Sequence, residues 1–371
     1  MFMPSRVRLA ILSAAAPVLM LAQADTRGSL KLDMPNDSPV SVVSADWGQS
    51  RPVARGSAMV LDLHTSLSLR NSGQKRIRGI TLMVLAQEVT PGGKGSVSVP
   101  SLDVGPGETF PVRIDLRLLR PIQGGENAAV RVSLDGVLFD DLSFFGPNKL
   151  ESRRLMTVWE LEAQRDRKYF KAVLDQGGTD GLQKEILASL GRAGDHGQPG
   201  IQMVRGGRAT TYEPEREVQF AFVQMPDAPI ETLNGAAKVA GNEAYAPRIE
   251  IRNRAAKPVR YFEMGWIVED QQGRQVMAGS MPAELNLQPG QKTRVAQDSA
   301  LRFPERTAIK GMTGFVSSVE FADGRLWIPS RAAMTSGPLQ TAMGPSPEEQ
   351  RLVQIYRKKG LKALIEELKR F

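Results

Sequence analysis

Two stretches of this chain, 182 positions apart, carry the same order of turn signals, and that constrains the fold more than any other feature. Leu69-Arg70-Asn71 recurs as Ile251-Arg252-Asn253. Lys75, Ile77 and Arg78 recur as Lys257, Val259 and Arg260. Pro106-Gly107-Glu108 recurs as Pro289-Gly290-Gln291, and Asp135-Gly136 as Asp323-Gly324. The offsets of 182, 183 and 188 are nearly constant, and insertions between matched strands fall in loops, which tolerate them. A chain that repeats in this way folds as two copies of one unit.

The unit is β. From Val60 to Arg70, Leu61, Leu63, Leu67 and Leu69 alternate with Asp62, His64, Ser66, Ser68 and Arg70. Period two buries one face of a strand. Val112, Ile114, Leu116 and Leu118 alternate with Arg113, Asp115 and Arg117, and Val130, Val132 and Leu134 with Arg131 and Ser133. Asp135-Gly136 then reads as a tight hairpin turn. Strands at this spacing predict antiparallel β-sandwiches. The pattern of strand, Asn71 turn, Lys75-x-Ile77 strand, Pro106-Gly107-Glu108 turn and strand resembles bacterial immunoglobulin-like or fibronectin-III-like modules, over residues 58–145 and 247–330. That resemblance implies a fold and carries no activity.

Between the copies the period changes. Leu155, Trp159, Ala163, Phe170 and Leu174 recur at helical spacing. Gln176-Gly177-Gly178 stops the helix, Asp180 caps a second one, and Leu182, Ile186 and Leu190 line its inner face. The organisation expected is a leader over 1–24, a first sandwich over 25–150, a helical hairpin and loop over 151–207, and a second sandwich over 208–334. A Ser-, Gly- and Pro-rich linker over 335–345 and C-terminal amphipathic helices over 346–371 follow. In the tail, Ser346, Pro347 and Glu349 form a helix start with a capping box. Leu352, Ile355 and Tyr356 make one apolar stripe. Beyond Gly360, Leu361, Leu364, Ile365 and Leu368 make another, with Lys358 and Lys359 between them. Such a basic pair of helices docks on a partner groove or a membrane surface, or folds back to cover an apolar face of its own sandwich.

The N-terminus reads as an address. Arg6 and Arg8 precede the apolar run Leu9–Leu21, and Ala22-Gln23-Ala24 follows, the pattern of a secretory signal peptide cut after Ala24. No later segment is apolar and long enough to span a bilayer, so the expected place is the periplasm or the exterior. The formal charge of +8, less Arg6 and Arg8, is +6. For an exported chain the counterpart of that charge is an acidic protein face, anionic lipid or cell-wall polymer, not nucleic acid.

Catalytic signals are poor. There is no cysteine and only two histidines, His64 and His196, which excludes disulfides, thiolate metal sites and a three-histidine metal site within one chain. No Gly-x-Ser-x-Gly elbow supplies a nucleophile for either histidine. Asp140-Asp141 and Glu366-Glu367 are sequence neighbours, which in a strand face opposite sides. Pro91-Gly92-Gly93-Lys94-Gly95-Ser96 lacks the phosphate-loop spacing, and Arg205-Gly206-Gly207-Arg208 reads as a solvated basic loop. No cofactor, metal or catalytic residue is expected. Trp47, Trp159, Trp266 and Trp327 read as core side chains, and only a row of exposed tryptophans would speak for sugar stacking.

The expected protein is therefore a mainly β, exported, non-catalytic adaptor or scaffold that binds another envelope protein through its sandwich surfaces or its C-terminal helices. Peripheral membrane contact is a variant of that reading. A cell-wall or polysaccharide-binding module is the second reading. A carboxylate-dependent hydrolase is the third, and it requires an interdomain cleft holding at least two acidic groups.

Overall fold

The computed structural model describes residues 30–88, 91–121, 130–195, 202–205, 214–296, 299–303, 308–335 and 337–371. The expected leader, His196, and Gly206 to Arg208 of the basic loop lie outside these residues. Among the described residues no helix is long and apolar enough to cross a membrane.

The first copy holds β1 (Leu30–Asp33), β2 (Val40–Asp46), β3 (Arg51–Arg55), β4 (Ala58–Asn71), β5 (Ile77–Leu85), β6 (Lys94–Val99), β7 (Thr109–Pro121), β8 (Val130–Phe139) and β9 (Phe144–Phe145). In one sheet β4 takes β2 and β3 along one edge and β7 along the other. The facing sheet runs β1-β8-β5-β6, with β9 on β8. Leu61, Leu63, Leu67 and Leu69 of β4 are all buried between the sheets, as their alternation demands.

After α1 (Ser152–Asp195), the second copy holds β10 (Gln202–Arg205), β11 (Arg216–Gln219), β12 (Ala221–Phe222), β13 (Ile230–Ala240), β14 (Glu243–Asn253), β15 (Val259–Asp270), β16 (Gln275–Leu287), β17 (Lys292–Ala296), β18 (Ser299–Arg302), β19 (Ile309–Phe321) and β20 (Leu326–Trp327). One sheet runs β10-β18-β14-β13-β11, with β17 also on β14, and the other runs β12-β19-β15-β16, with β20 on β19. The plan repeats strand by strand. β13, β14, β15, β16 and β19 stand where β2, β4, β5, β6 and β8 stand in the first copy, and the split pair β17 and β18 replaces β7. Even the parallel pairing of β1 with β8 recurs as β12 with β19. The protein is mainly β, built of two immunoglobulin-like antiparallel sandwiches.

The matched asparagines are the reason for the repeated turn. Asn71 is buried, and its Nδ2 donates to the carbonyls of Lys75 (2.9 Å) and Val104 (3.0 Å), while its Oδ1 accepts from the N–H of Gly73. Asn253 makes the same bonds to Lys257, Leu287 and Ala255. One amide thus ties three backbone groups of a corner, two of them, at Gly73 and Lys75 or Ala255 and Lys257, outside any strand.

One matched pair is corrected. Asp135-Gly136 is not a hairpin turn; it lies inside β8, where Gly136 pairs with Thr81. The Asp135 carboxylate is buried and accepts from Ser152 Oγ (2.9 Å), and the Phe144 ring covers Gly136 so closely that a Cβ there would sit 2.2 Å from Cζ. Ladder pairing and a polar anchor override the local turn preference. The true counterpart of Asp323-Gly324 is Asp141-Leu142. Lys75 Nζ bonds Asp141 (2.7 Å) as Lys257 Nζ bonds Asp323 (2.6 Å), and φ is positive at both Leu142 (63°) and Gly324 (80°).

The helical parts form a small module of their own. α1 breaks at Gly178 (φ 64°, ψ −162°) and folds back, since a Cβ on Gly181 would lie 3.7 Å from the carbonyl oxygen of Val173. Eight residues of straight helix span about 12 Å. α1 is thus two helical segments folded on each other. The stretch expected as a linker contains α3 (Gly337–Ala342), preceded by α2 (Arg331–Met334). Leu339 and Ala342 bury against Met225, Ala228, Ile267 and Phe315 of the second sandwich, so apolar packing wins over linker composition. α4 (Pro347–Lys369) breaks at Gly360 and folds back in turn, which brings Arg351 Nη1 to 2.7 Å from Glu367 Oε1.

Candidate functional site

Leu352, Leu364 and Leu368 are fully buried against Phe170, Leu182 and Ile186 of the α1 hairpin. Ile355, Tyr356, Leu361 and Ile365 pack half-buried around them, and Lys358 and Lys359 are exposed. The tail folds back onto the helical hairpin, not onto a sandwich. Its apolar stripe is used inside the chain. The cause lies in the spacing: each hairpin is too short to bury its stripe alone, and the two together make a four-segment core.

Charges seal this core to both sandwiches. Buried Glu160 of α1 accepts from Arg167 and faces Arg78 of β5, whose guanidinium bonds Asp103 at 2.7 Å. The Phe371 ring stacks within 4.8 Å of the Arg78 and 4.4 Å of the Arg167 guanidinium carbon. Toward the second sandwich, Arg154 Nε bonds Glu320 at 2.6 Å and its guanidinium lies 3.6 Å from the Tyr261 ring. Helical periodicity put Leu155 in the apolar stripe of α1. It is 45% exposed instead, and Met156 is buried against Gly79 and Thr81. α1 serves both sandwiches at once, so its buried side is not one stripe.

Next to α1 the junction opens into two adjoining cavities of about 370 and 300 Å³ that share Arg153, Arg154 and Glu320. The cleft holds three carboxylates, Glu151, Glu284 and Glu320, as the hydrolase reading requires. Glu320, however, is held between Arg154 and Arg260, an arrangement for stability of charge rather than for proton transfer. Further along α1, Glu162 lies near Asp166 and Glu263, and Arg165 offsets them only in part. Burial pushes its carboxyl up to about 7. A carboxyl whose folded pKa is raised keeps its proton where the unfolded chain loses it, so stability falls as pH rises from about 4.5 to 7. Glu162→Gln is therefore expected to stabilise the protein at pH 8 by about 1–2 kcal/mol, after allowance for solvent screening, and to be neutral at pH 4. Urea unfolding at the two pH values checks this; an equal effect at both would assign the gain to packing.

The most distinctive surface is the outer face of the β2-β3-β4-β7 sheet. Cross-strand registers set its rows. Val53, Val60 and Leu119 stand in line, with Val53 42% and Leu119 37% exposed. The next row is Arg51, Asp62 and Arg117, and the next brings His64 beside Asp115. His64 Nδ1 lies 2.9 Å from Asp115 Oδ1, and Nε2 lies 3.8 Å from Asp62 Oδ1. Among the described residues no serine or threonine oxygen bonds the ring, which spans two carboxylates as a surface link. The same face of the second sandwich carries charge pairs: Arg252–Glu231 at 2.5 Å, Lys238–Glu215 at 3.7 Å, Arg248–Glu217, and Asn234 on Glu250. An apolar row flanked by charge is the composition of a binding face. The outward face of β4 was legible from the alternation of Asp62 and His64; the alignment of Val53, Val60 and Leu119 on it needed the sheet register.

Trp266 is buried in the second core, and Trp47, Trp159 and Trp327 are half-buried on separate elements, so they form no row. Among the described residues, no group of three or more His, Asp or Glu is placed to hold a metal ion.

No protein family matches the chain, and no curated protein matches it. Among solved structures it has weak similarity to a transglutaminase from red sea bream, at 10% identity and TM-score 0.13 over 75% of this chain and 31% of that one. A β-glucosidase from Kluyveromyces marxianus is similar at 10% identity and TM-score 0.15 over 71% and 45%. The chain spans less than half the length of either protein, and nothing about activity follows from scores this low.

Proposed function

We propose that the protein is a non-catalytic, exported envelope scaffold that binds another protein through the outer face of its first sandwich. The observation that carries this is the Val53-Val60-Leu119 row, an apolar strip beside charged rows on a face whose counterpart in the second sandwich carries charge pairs. The leader pattern at Arg6 to Ala24 supports export to the periplasm or beyond. The likeness of the repeat to exported bacterial immunoglobulin-like modules supports an interaction role by analogy of fold. The helical module fixes the two sandwiches against each other, which suits a scaffold. Lys358 and Lys359 remain free for a secondary acidic contact with protein or membrane.

The test is in-cell cross-linking from a photo-reactive side chain at Arg51, an exposed position in the row next to Val53. A discrete protein adduct is expected, lost in Val53→Glu/Leu119→Glu and kept in Lys358→Glu/Lys359→Glu. The reverse pattern returns the binding site to the tail. Retention on insoluble cell wall with no protein adduct favours the polysaccharide reading, for which the scattered tryptophans give little support.

A further inference from the structure

We infer that β7 is a pairing edge for β7 of a second copy of this chain, in a two-fold antiparallel junction centred on Ile114. β7 pairs with β4 over all of Thr109–Pro121 without a register shift. Leu119 donates its N–H away from β4, to the Gly92 carbonyl at 2.8 Å. In an antiparallel ladder the direction alternates, so Arg117, Asp115 and Arg113 also turn their N–H and C=O groups outward. Among the described residues none of these groups has a backbone partner. The second sandwich shows what this position in the fold does. There β18 takes the place of Leu116–Leu118 and carries β10 on its outer side, with Val204 opposite Ala300 and Met203 opposite Leu301. The edge that the chain covers for itself in one copy carries no such strand among the described residues of the other.

The sequence of the open edge selects the partner. Charged edge strands usually repel their like. Here the signs alternate, as Arg113-Ile114-Asp115-Leu116-Arg117, with all three charged side chains on the exposed face. Only residues with outward backbone groups face each other, which leaves three central registers. Centring on Asp115 sets Asp115 against its own copy and Arg113 against Arg117, and like charges repel. Centring on Leu116 brings Arg113 to Leu119, whose N–H already belongs to Gly92. Centring on Ile114 sets Arg113 opposite Asp115 twice over, sets Val112 opposite Leu116 on the core side, and leaves Pro111, which lacks an N–H, near the flank. Such a contact is isologous and closes as a dimer.

The purified full chain is expected to dimerise in sedimentation velocity as its concentration is raised, with no other protein present, so the result is independent of the adduct test above. Asp115→Arg makes the edge uniformly basic and should weaken the dimer about tenfold or more. Arg113→Asp/Asp115→Arg restores the opposed pairs and should restore the dimer. Circular dichroism melts of these exposed-site variants verify folding. A parent protein that stays monomeric at high concentration overturns the inference, as does a dimer indifferent to Asp115→Arg. Rescue by Asp115→Arg/Arg117→Asp in place of the first double variant would overturn the Ile114 register.

Discussion

Replacing Glu349 by alanine should cost about 3–5 kcal/mol and release the tail from the helical hairpin. Glu349 is 2% exposed. Its carboxylate takes Arg331 Nη1 at 3.1 Å and Nη2 at 3.3 Å, together with Arg192 and Ser189. Arg331 also touches Asp166, which is wholly buried, at 3.2 Å. Removing the carboxylate leaves Arg331 with Asp166, which it shares with Arg165, and leaves Arg192 with Glu185 at 3.8 Å, so the buried Arg331 keeps half an acid in place of two. Arg331 and its companions hold the Glu349 carboxyl below its ordinary value against the opposing effect of burial. A depressed folded pKa means that the stabilisation is complete above the ordinary carboxylate range and is lost as pH falls through the folded value. The loss in Glu349→Ala should therefore be full at pH 7 and smaller in acid. Urea unfolding at both pH values, with hydrogen exchange of α4, measures it. A change under about 0.5 kcal/mol at pH 7 would mean that water solvates this network.

Asn71→Ala and Asn253→Ala should each cost about 2–4 kcal/mol, and by similar amounts. Each deletion removes the side-chain donor to the Lys75 or Lys257 carbonyl and the acceptor of the Gly73 or Ala255 N–H, and takes one of its hydrogen bonds from the Val104 or Leu287 carbonyl. The two sites lie in separate sandwiches, so their costs should add in the double variant. Amide exchange at Gly73 and Ala255, the N–H groups each side chain holds, reports the corner directly. If Asn71→Ala were damaging and Asn253→Ala neutral, the likeness of the two corners would be one of shape without energetic weight.

These two cases mark how far the sequence could be read. Asn71 and Asn253 stood out as equivalents because the same amide does the same local task four residues before a matched lysine. Glu349 stood out for the wrong reason. Ser346 caps the helix, accepting from the Glu349 N–H at 3.0 Å, but the glutamate does not reach back to complete a box; it reaches across to Arg331. A capping box and an inter-helix ion pair have the same sequence signature. Only the approach of α2 and α1 separates them.

The outer face of the first sandwich divides in the same way. Alternation along β4 and β7 assigned Asp62, His64, Asp115 and Arg117 to the solvent side, because side chains alternate strictly along a strand. That Val53 and Leu119 flank Val60 depends on register, and register is set between strands far apart in the chain.

What the sequence alone determined is whatever is periodic or local: two β copies, the helical insert, its break at Gly178, the tail helices and their break at Gly360. Period and turn chemistry act within a few residues and need no partner. Tertiary structure decided which apolar stripe meets which. It put Leu352, Leu364 and Leu368 against Phe170 and Ile186, drew the supposed linker onto the second sandwich through Leu339, and kept Asp135-Gly136 inside a strand. Hydrophobic burial is non-directional. A stripe in the sequence states that it will be covered, and the geometry of the whole chain chooses the cover.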